Sequence, residues 1–375
     1  MIITLIILTL ASFSMANDDF ISKATIGGYG ELHWNKAWNE DNNMTKNTMD
    51  FHRFIIYTGY NFSSSWSFKS ELEIEHNMIG GGEDYDADGD DTNEGKFIKY
   101  SGEIELEQAY INYHSDNFGF QAGVILPTVG IINEYHEPPL FPSVERPSYN
   151  KYVIPTTWFG NGFALYGMLS DFKWKIALME DLDGKEIGDG IRSARGKGYK
   201  TSGYDLLKNF SVVYTGMPGL RVGTSLTIND APISFNDNGT VSSSIGVKLI
   251  EINAKYDANN IYIVTEYGTI SYDDSNYLTT DETAEFTYGN TSGYYIDLGY
   301  NIGNLIGIEK LMPWVRISNV SRNLDNDDKI TDIQRFGLAW WPENQVVLKI
   351  DYGLLQVKSD ENPTSELNVG IGYNF

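Results

Sequence analysis

Cysteine is absent from all 375 residues, which excludes disulfide scaffolds, thiolate metal sites and cysteine nucleophiles. Positive charge is scarce. The 27 Lys and Arg stand against 51 Asp and Glu, and a formal net charge of −24 would repel a polyanion, so nucleic acid is excluded as a partner. Long apolar runs are missing as well: mean hydropathy is −0.31, and the one apolar stretch lies at the N-terminus. A bundle of membrane helices needs repeated runs of about 20 residues. Only five histidines are present, all within the first 136 residues.

Aromatics and glycine are plentiful. The chain carries 25 Tyr, 18 Phe, 8 Trp and 37 Gly with only 21% charged residues, a balance that suits a large β-protein. At the N-terminus, the apolar run Ile2 to Leu10 is followed by Ser14-Met15-Ala16, a small-x-small pattern suited to cleavage before Asn17. Residues 1–16 are therefore expected to be a secretory signal peptide, although no Lys or Arg precedes the apolar run, and residues 17–375 the mature domain.

Beyond residue 20 the apolar positions recur with period two. Trp66, Phe68, Leu72 and Ile74 share one face, and Ser67, Lys69, Glu71, Glu73 and Glu75 the other. The same division recurs in 172–178, 220–228, 346–352 and 367–375. A soluble sandwich also alternates, but here short turns (63–65, 115–117, 170–171, 217–219, 257–260, 342–344) alternate with long polar connections (39–49, 77–101, 127–161, 181–209, 230–242, 273–291, 320–331, 359–364). That rhythm predicts an all-β, up-and-down transmembrane barrel of about 16 antiparallel strands, with short periplasmic turns and long extracellular loops. Two places fit less well: apolar parity slips between Leu106 and Ala109, and the 303–310 connection is long for a periplasmic turn.

The C-terminus, Leu367-Asn368-Val369-Gly370-Ile371-Gly372-Tyr373-Asn374-Phe375, resembles the terminal assembly signal of bacterial outer-membrane barrels. The stretch from Gly123 to Gly162 contains Pro127, Gly130, Asn133-Glu134, His136-Glu137-Pro138-Pro139, Val144-Glu145-Arg146-Pro147 and Ile154-Pro155-Thr156-Thr157-Trp158. It is similar to the third extracellular loop of the phosphate-selective porin O and P superfamily. The resemblance implies an outer-membrane porin of a Gram-negative-type bacterium: a water-filled channel for small hydrophilic solutes or ions, homotrimeric, with the third loop folded inward. It also implies lipid and lipopolysaccharide surroundings and recognition by the barrel assembly machinery through the last strand. Where phosphate-specific members carry Arg and Lys at the constriction, this loop offers Arg146 and Lys151 against Glu134, Glu137 and Glu145.

The constriction is accordingly expected at Glu134, Glu137, Glu145 and Arg146. The wall opposite the apolar face should line the pore with Arg53, Lys69, Glu71, Glu73, Lys173, Lys175, Arg221, Arg316, Arg335 and Lys349. Lys255, Glu75, Glu251, Glu266, Asp297 and Asp351 share that face. Acidic residues bunch on 65–77 and Lys173 and Lys175 lie several strands away, which would set a field across the lumen; the alternative is local pairing. A basic cluster in 181–209 (Lys185, Arg192, Arg195, Lys197, Lys200) would either draw anions to the mouth or meet lipopolysaccharide and solvent.

Asp84, Asp86, Asp88, Gly89 and Asp90 resemble the first half of a calcium loop, without its closing Glu, since Gly95 occupies that position; the alternative is an acidic solvated loop. No other cofactor is expected. An enzymatic barrel would need convergent polar groups. His33, His52 and His76 fall near one rim, but His52 and His76 share the parity of lipid-facing Phe54, Ile56, Leu72 and Ile74, whereas His33 has the opposite parity to Leu32 and Trp34. They are therefore not expected to meet, and a hydrolase or a structural, adhesive barrel ranks behind a porin.

Overall fold

A computed structural model of the chain describes residues 22–39, 44–77, 82–85, 97–100, 102–188, 190–275 and 289–375. The signal-peptide expectation at 1–16 lies outside them, as do Asp86, Asp88 and Asp90 of the proposed calcium loop.

The strands are β1 (Ala24–Asn39), β2 (Met44–Asn61), β3 (Trp66–Glu75), β4 (Gly82–Tyr85), β5 (Phe97–Tyr100), β6 (Ile104–His114), β7 (Phe118–Ile125), β8 (Gly160–Leu169) and β9 (Phe172–Met179). They continue with β10 (Leu207–Tyr214), β11 (Leu220–Phe235), β12 (Val241–Ala258), β13 (Ile261–Asp273), β14 (Thr291–Tyr300), β15 (Lys310–Ser321), β16 (Ile330–Glu343), β17 (Val346–Val357) and β18 (Thr364–Asn374). All but β4 and β5 pair with their chain neighbours in one closed antiparallel barrel of 16 strands, which β1 and β18 seal. The seal is tied at its end by Gly28 N–H to the Phe375 carbonyl (3.0 Å) and Phe375 N–H to the Gly28 carbonyl (2.9 Å). The terminal Phe375 ring stacks on Phe54, with centroids 6.1 Å apart. Asp84 lies on β4, which forms a separate hairpin with β5 inside the second long connection.

Closure removes every edge of the barrel sheet, the condition for spanning a bilayer with strands. The wall then has two faces set by the period of two. Ile252, Leu298, Ile317, Phe336 and Ile350 point outward and are exposed, while Glu251, Asp297, Arg316, Arg335 and Asp351 point inward and are buried. Around the short turns the outward aromatics touch one another: Tyr60 with Phe62, Trp66 with Tyr113, Phe172 with Tyr214. Such a girdle suits the membrane–water boundary.

The two awkward stretches of sequence have local causes. In β3–β6, Glu71 pairs with Gln108 and Leu72 with Leu106, so Glu107 is an extra, bulged residue and the alternation shifts by one. The 301–309 turn holds a short helix (Gly303–Ile306) closed by Gly307 at φ 76°, a left-handed cap that glycine adopts without a Cβ clash.

The longest connection between barrel strands, 126–159, lies within the barrel. Val129, Ile131, Ile132, Phe141, Val144, Tyr149, Val153, Ile154 and Trp158 are buried, and much of this set packs against wall residues such as Val264, Tyr295, Met312 and Val347. Each such side chain contributes roughly 1.5–3 kcal/mol on burial, set against about 1–2 kcal/mol per residue for ordering the backbone. Leu140 in the same connection is exposed. It ends the short 3-10 turn Pro138–Leu140, in which only the two prolines are buried.

Candidate functional site

The connection 126–159 forms a strap across the lumen. It leaves from β7, and at the far side Val144 N–H donates to Asp351 Oδ2 on β17 (2.7 Å), Lys349 Nζ to the Ser143 carbonyl (2.8 Å) and Trp341 Nε1 to the Pro139 carbonyl (3.0 Å). Between these ends, Ile131 N–H donates to Glu266 Oε2 (2.9 Å), and Glu266 Oε1 accepts from Tyr295 (2.6 Å). Wall carboxylates aimed inward thus satisfy strap amides that would otherwise be buried without partners. The strap separates two cavities. One of about 770 Å³ faces the long loops and is lined by strap residues 144–157. The other, about 570 Å³, faces the short turns and is lined by Thr128, Glu134 and Tyr135.

The four residues expected at the constriction do not form one ring. Glu145 and Arg146 face the outer cavity, and Glu134 faces the inner one, 4.0 Å from both Lys175 Nζ and Arg221 Nη2. Glu137 accepts from Tyr57 OH at 3.4 Å. Of the expected wall residues, Arg53, Glu71, Glu73, Arg316, Arg335 and Lys349 are buried inside, and Lys173, Lys175 and Arg221 line the inner cavity. Lys69 keeps the inward parity of Glu71 but is exposed toward the short-turn end.

Many of these charges are neutralised locally. Arg316 grips Asp297 with two bonds (2.6 and 2.7 Å), Arg335 pairs with Asp351 (2.6 Å) and Glu366, and Arg53 with Glu31 (2.8 Å) and Glu73 (3.2 Å). In the basic cluster of 181–209, Lys197 likewise pairs with Glu103 (3.6 Å) and Glu105, but the two arginines behave differently. Arg192 donates to the Thr156 carbonyl (2.9 Å) and Arg195 to the carbonyls of Thr157 and Arg192, so this segment folds down onto the strap. Arg146 donates to the His136 carbonyl at 3.5 Å. Among the described residues no carboxylate pairs with Arg146, Arg192 or Arg195. The segment is pinned at its other end by Asp205, which accepts from Asp230 N–H (2.8 Å) and Lys208 Nζ (2.7 Å); these bonds outweigh the partial burial that would raise its carboxyl and hold it below the usual range. Lys185 and Lys200 stay exposed.

The histidines overturn the parity expectation. Glu31 pairs with Arg53 and Leu32 with Phe51, so His52 is the extra residue of a bulge and the inward face of β2 shifts from odd to even positions, bringing Asp50 inside. His33 and His52 stack at 4.9 Å, and His76, in a left-handed turn after β3, meets His52 edge-on at 5.5 Å. Three residues whose sequence parity set them apart therefore converge. Glu31 and Glu107 were not among the residues expected in the lumen. Glu107 is the bulged residue of β6, and a parity slip in the sequence was the signal that pointed to it.

No family model matches the chain. It is 29% identical over 351 residues to an uncharacterized protein of Aquifex aeolicus (88% of this chain, 74% of that one). It is 22% identical over 359 residues to outer membrane porin N of Escherichia coli K12 (89% and 90%). The anion-selective porin from Comamonas acidovorans superposes with a TM-score of 0.59 at 11% identity, covering 94% of this chain and 99% of that one. The chain is thus similar to outer-membrane porins and shares their closed 16-stranded barrel. The enzymatic alternative gives way to a diffusion channel, in which the strap is the third extracellular loop of the porin and the two cavities are its outer and inner vestibules.

Proposed function

We propose that this porin passes small hydrophilic solutes and favours anions. One observation carries the reading. In a chain of net charge −24, the outer vestibule is lined, among the described residues, by eleven Lys and Arg against seven Glu. Acidic residues gather on the β1–β6 side (Glu31, Glu73, Glu75, Glu103, Glu105), and Arg316 and Arg335 face them from the other side, with the unpaired Arg146, Arg192 and Arg195 on the floor. A fixed positive excess in a confined vestibule raises the local concentration of anions and sets a barrier to cations. The anion-selective name of the Comamonas structure agrees with this preference. The strap sets the size limit, through Glu145 and Arg146 on its outer side and Glu134 on its inner side.

Reversal potentials in a potassium chloride gradient across a planar bilayer test the proposal. Wild type should favour chloride, and Arg192→Gln with Arg195→Gln should shift the potential toward cation selectivity. A wild-type channel that favours potassium would refute it. The narrower kinship with phosphate-selective porins rests on the strap motif and on the same three guanidiniums; block of chloride current by millimolar phosphate, relieved in the double variant, is its test. Assembly as a homotrimer, contact with lipopolysaccharide and entry through the assembly machinery belong to the same proposal, and native gel mobility before and after heating checks the first of these.

A further inference from the structure

Three of the residues lining the outer vestibule are histidines, His33, His52 and His76. His52 Nδ1 and His76 Nδ1 both point at one atom, Asp50 Oδ2, from 2.9 and 2.8 Å. The ligating atoms of Asp50, His52 and His76 all lie within 4.8 Å of one another. Imidazole nitrogen with carboxylate oxygen is a donor set for zinc-class dications, whereas magnesium and calcium favour oxygen alone. In four-coordinate zinc, bonds of about 2.0–2.2 Å place adjacent donor atoms about 3.3–3.5 Å apart. The nitrogen-to-oxygen separations need only open by about half an ångström to admit the ion.

The surroundings support the same chemistry. His33, buried at 4% exposure, stacks on His52 and so fixes its ring plane. Its two nitrogens lie against carboxylates, Nε2 at 3.2 Å from Glu31 and Nδ1 at 2.8 Å from Glu145, so His33 is engaged elsewhere and leaves the ligands to the other three residues. Arg53, the cation on the same wall, is already engaged by Glu31 and Glu73. The side chain of His76 is 47% exposed, so a fourth position opens to the vestibule for water.

We propose that Asp50, His52 and His76 form a binding site for a zinc-class dication at the outer mouth of the pore. On binding, the ion displaces the proton that each Nδ1 donates to Asp50, which passes to Nε2 in a neutral ring or to water from an imidazolium, and the carboxylate oxygen that joined the two rings becomes the third ligand.

Titration calorimetry of the folded full-length protein with zinc chloride tests this, with magnesium chloride as the competing hard ion. Zinc should bind one per chain where magnesium gives no heat. His76→Ala should weaken zinc about tenfold or more, and His52→Ala with His76→Ala should abolish binding. His114→Gln, at the opposite end of the barrel, should leave it intact. Heat-modifiable gel mobility checks the fold, and His76→Ala, in an exposed turn, carries the test if the double variant does not assemble. Zinc heats no larger than those of magnesium, or undiminished binding in folded His76→Ala, would overturn the proposal. The titration involves no membrane current, so failure of the channel reading would leave it standing.

Discussion

Replacing residues 131–149 by a short Gly/Ser linker should raise single-channel conductance two- to threefold. The barrel has 16 strands. With a spacing of about 4.8 Å and a tilt of about 40°, its backbone radius is about 16 Å. Side chains on the inner face take up about 5 Å, half the usual distance between packed sheets, and leave a lumen of about 11 Å radius and about 380 Å² in cross-section. A strap one layer thick, about 10 Å, reaching across the full width covers about 220 Å² of it and leaves about 160 Å². Removing it frees Asp351, Lys349 and Glu266 from their strap partners, but into a lumen now open to water, so their desolvation is relieved rather than aggravated. Conductance in planar bilayers is the assay, on protein whose gel mobility shifts on heating as the wild type does. Unchanged conductance in such a protein would show that the strap is not the narrowest point, and the division of the lumen into two vestibules would lose its functional meaning.

Arg53→Met should lower the midpoint of thermal barrel unfolding, because Glu31 and Glu73 are left buried around a lost guanidinium; removing one partner of such a group costs about 3–5 kcal/mol. An unchanged midpoint would mean that the site is wetter than its burial implies. Gly123→Ala should reduce assembly of the barrel, since a Cβ there would stand 2.2 Å from the Ala109 carbonyl oxygen, whereas Gly203→Ala, whose Cβ would meet Leu206 Cδ2 at an ordinary 3.5 Å, should assemble at close to the wild-type level. N-terminal sequencing of the mature protein should begin at Asn17, and a retained Met1 would refute the signal-peptide assignment.

The alternation of apolar and polar side chains is a local property, written residue by residue, and the rhythm of long and short connections follows directly from it. The strand count, the direction of each face and the inward path of 126–159 were all legible there: strands such as β12 and β16 keep strict parity, and the strap carries prolines and apolar residues that a free external loop would not need. Bulges are different, because an extra residue in one strand is defined only against its partner. His52 opposite the Glu31–Leu32 step reverses the parity of everything above it, and the tertiary register alone brings Asp50 inside and sets His33, His52 and His76 side by side. The fate of Arg192 and Arg195 was likewise decided in three dimensions. Their partners are carbonyls of Thr156 and Thr157, more than thirty residues away, and every residue has such a carbonyl. No side-chain pattern marks which carbonyls a guanidinium will meet, so the positive floor of the vestibule exists only once the barrel has closed around its strap.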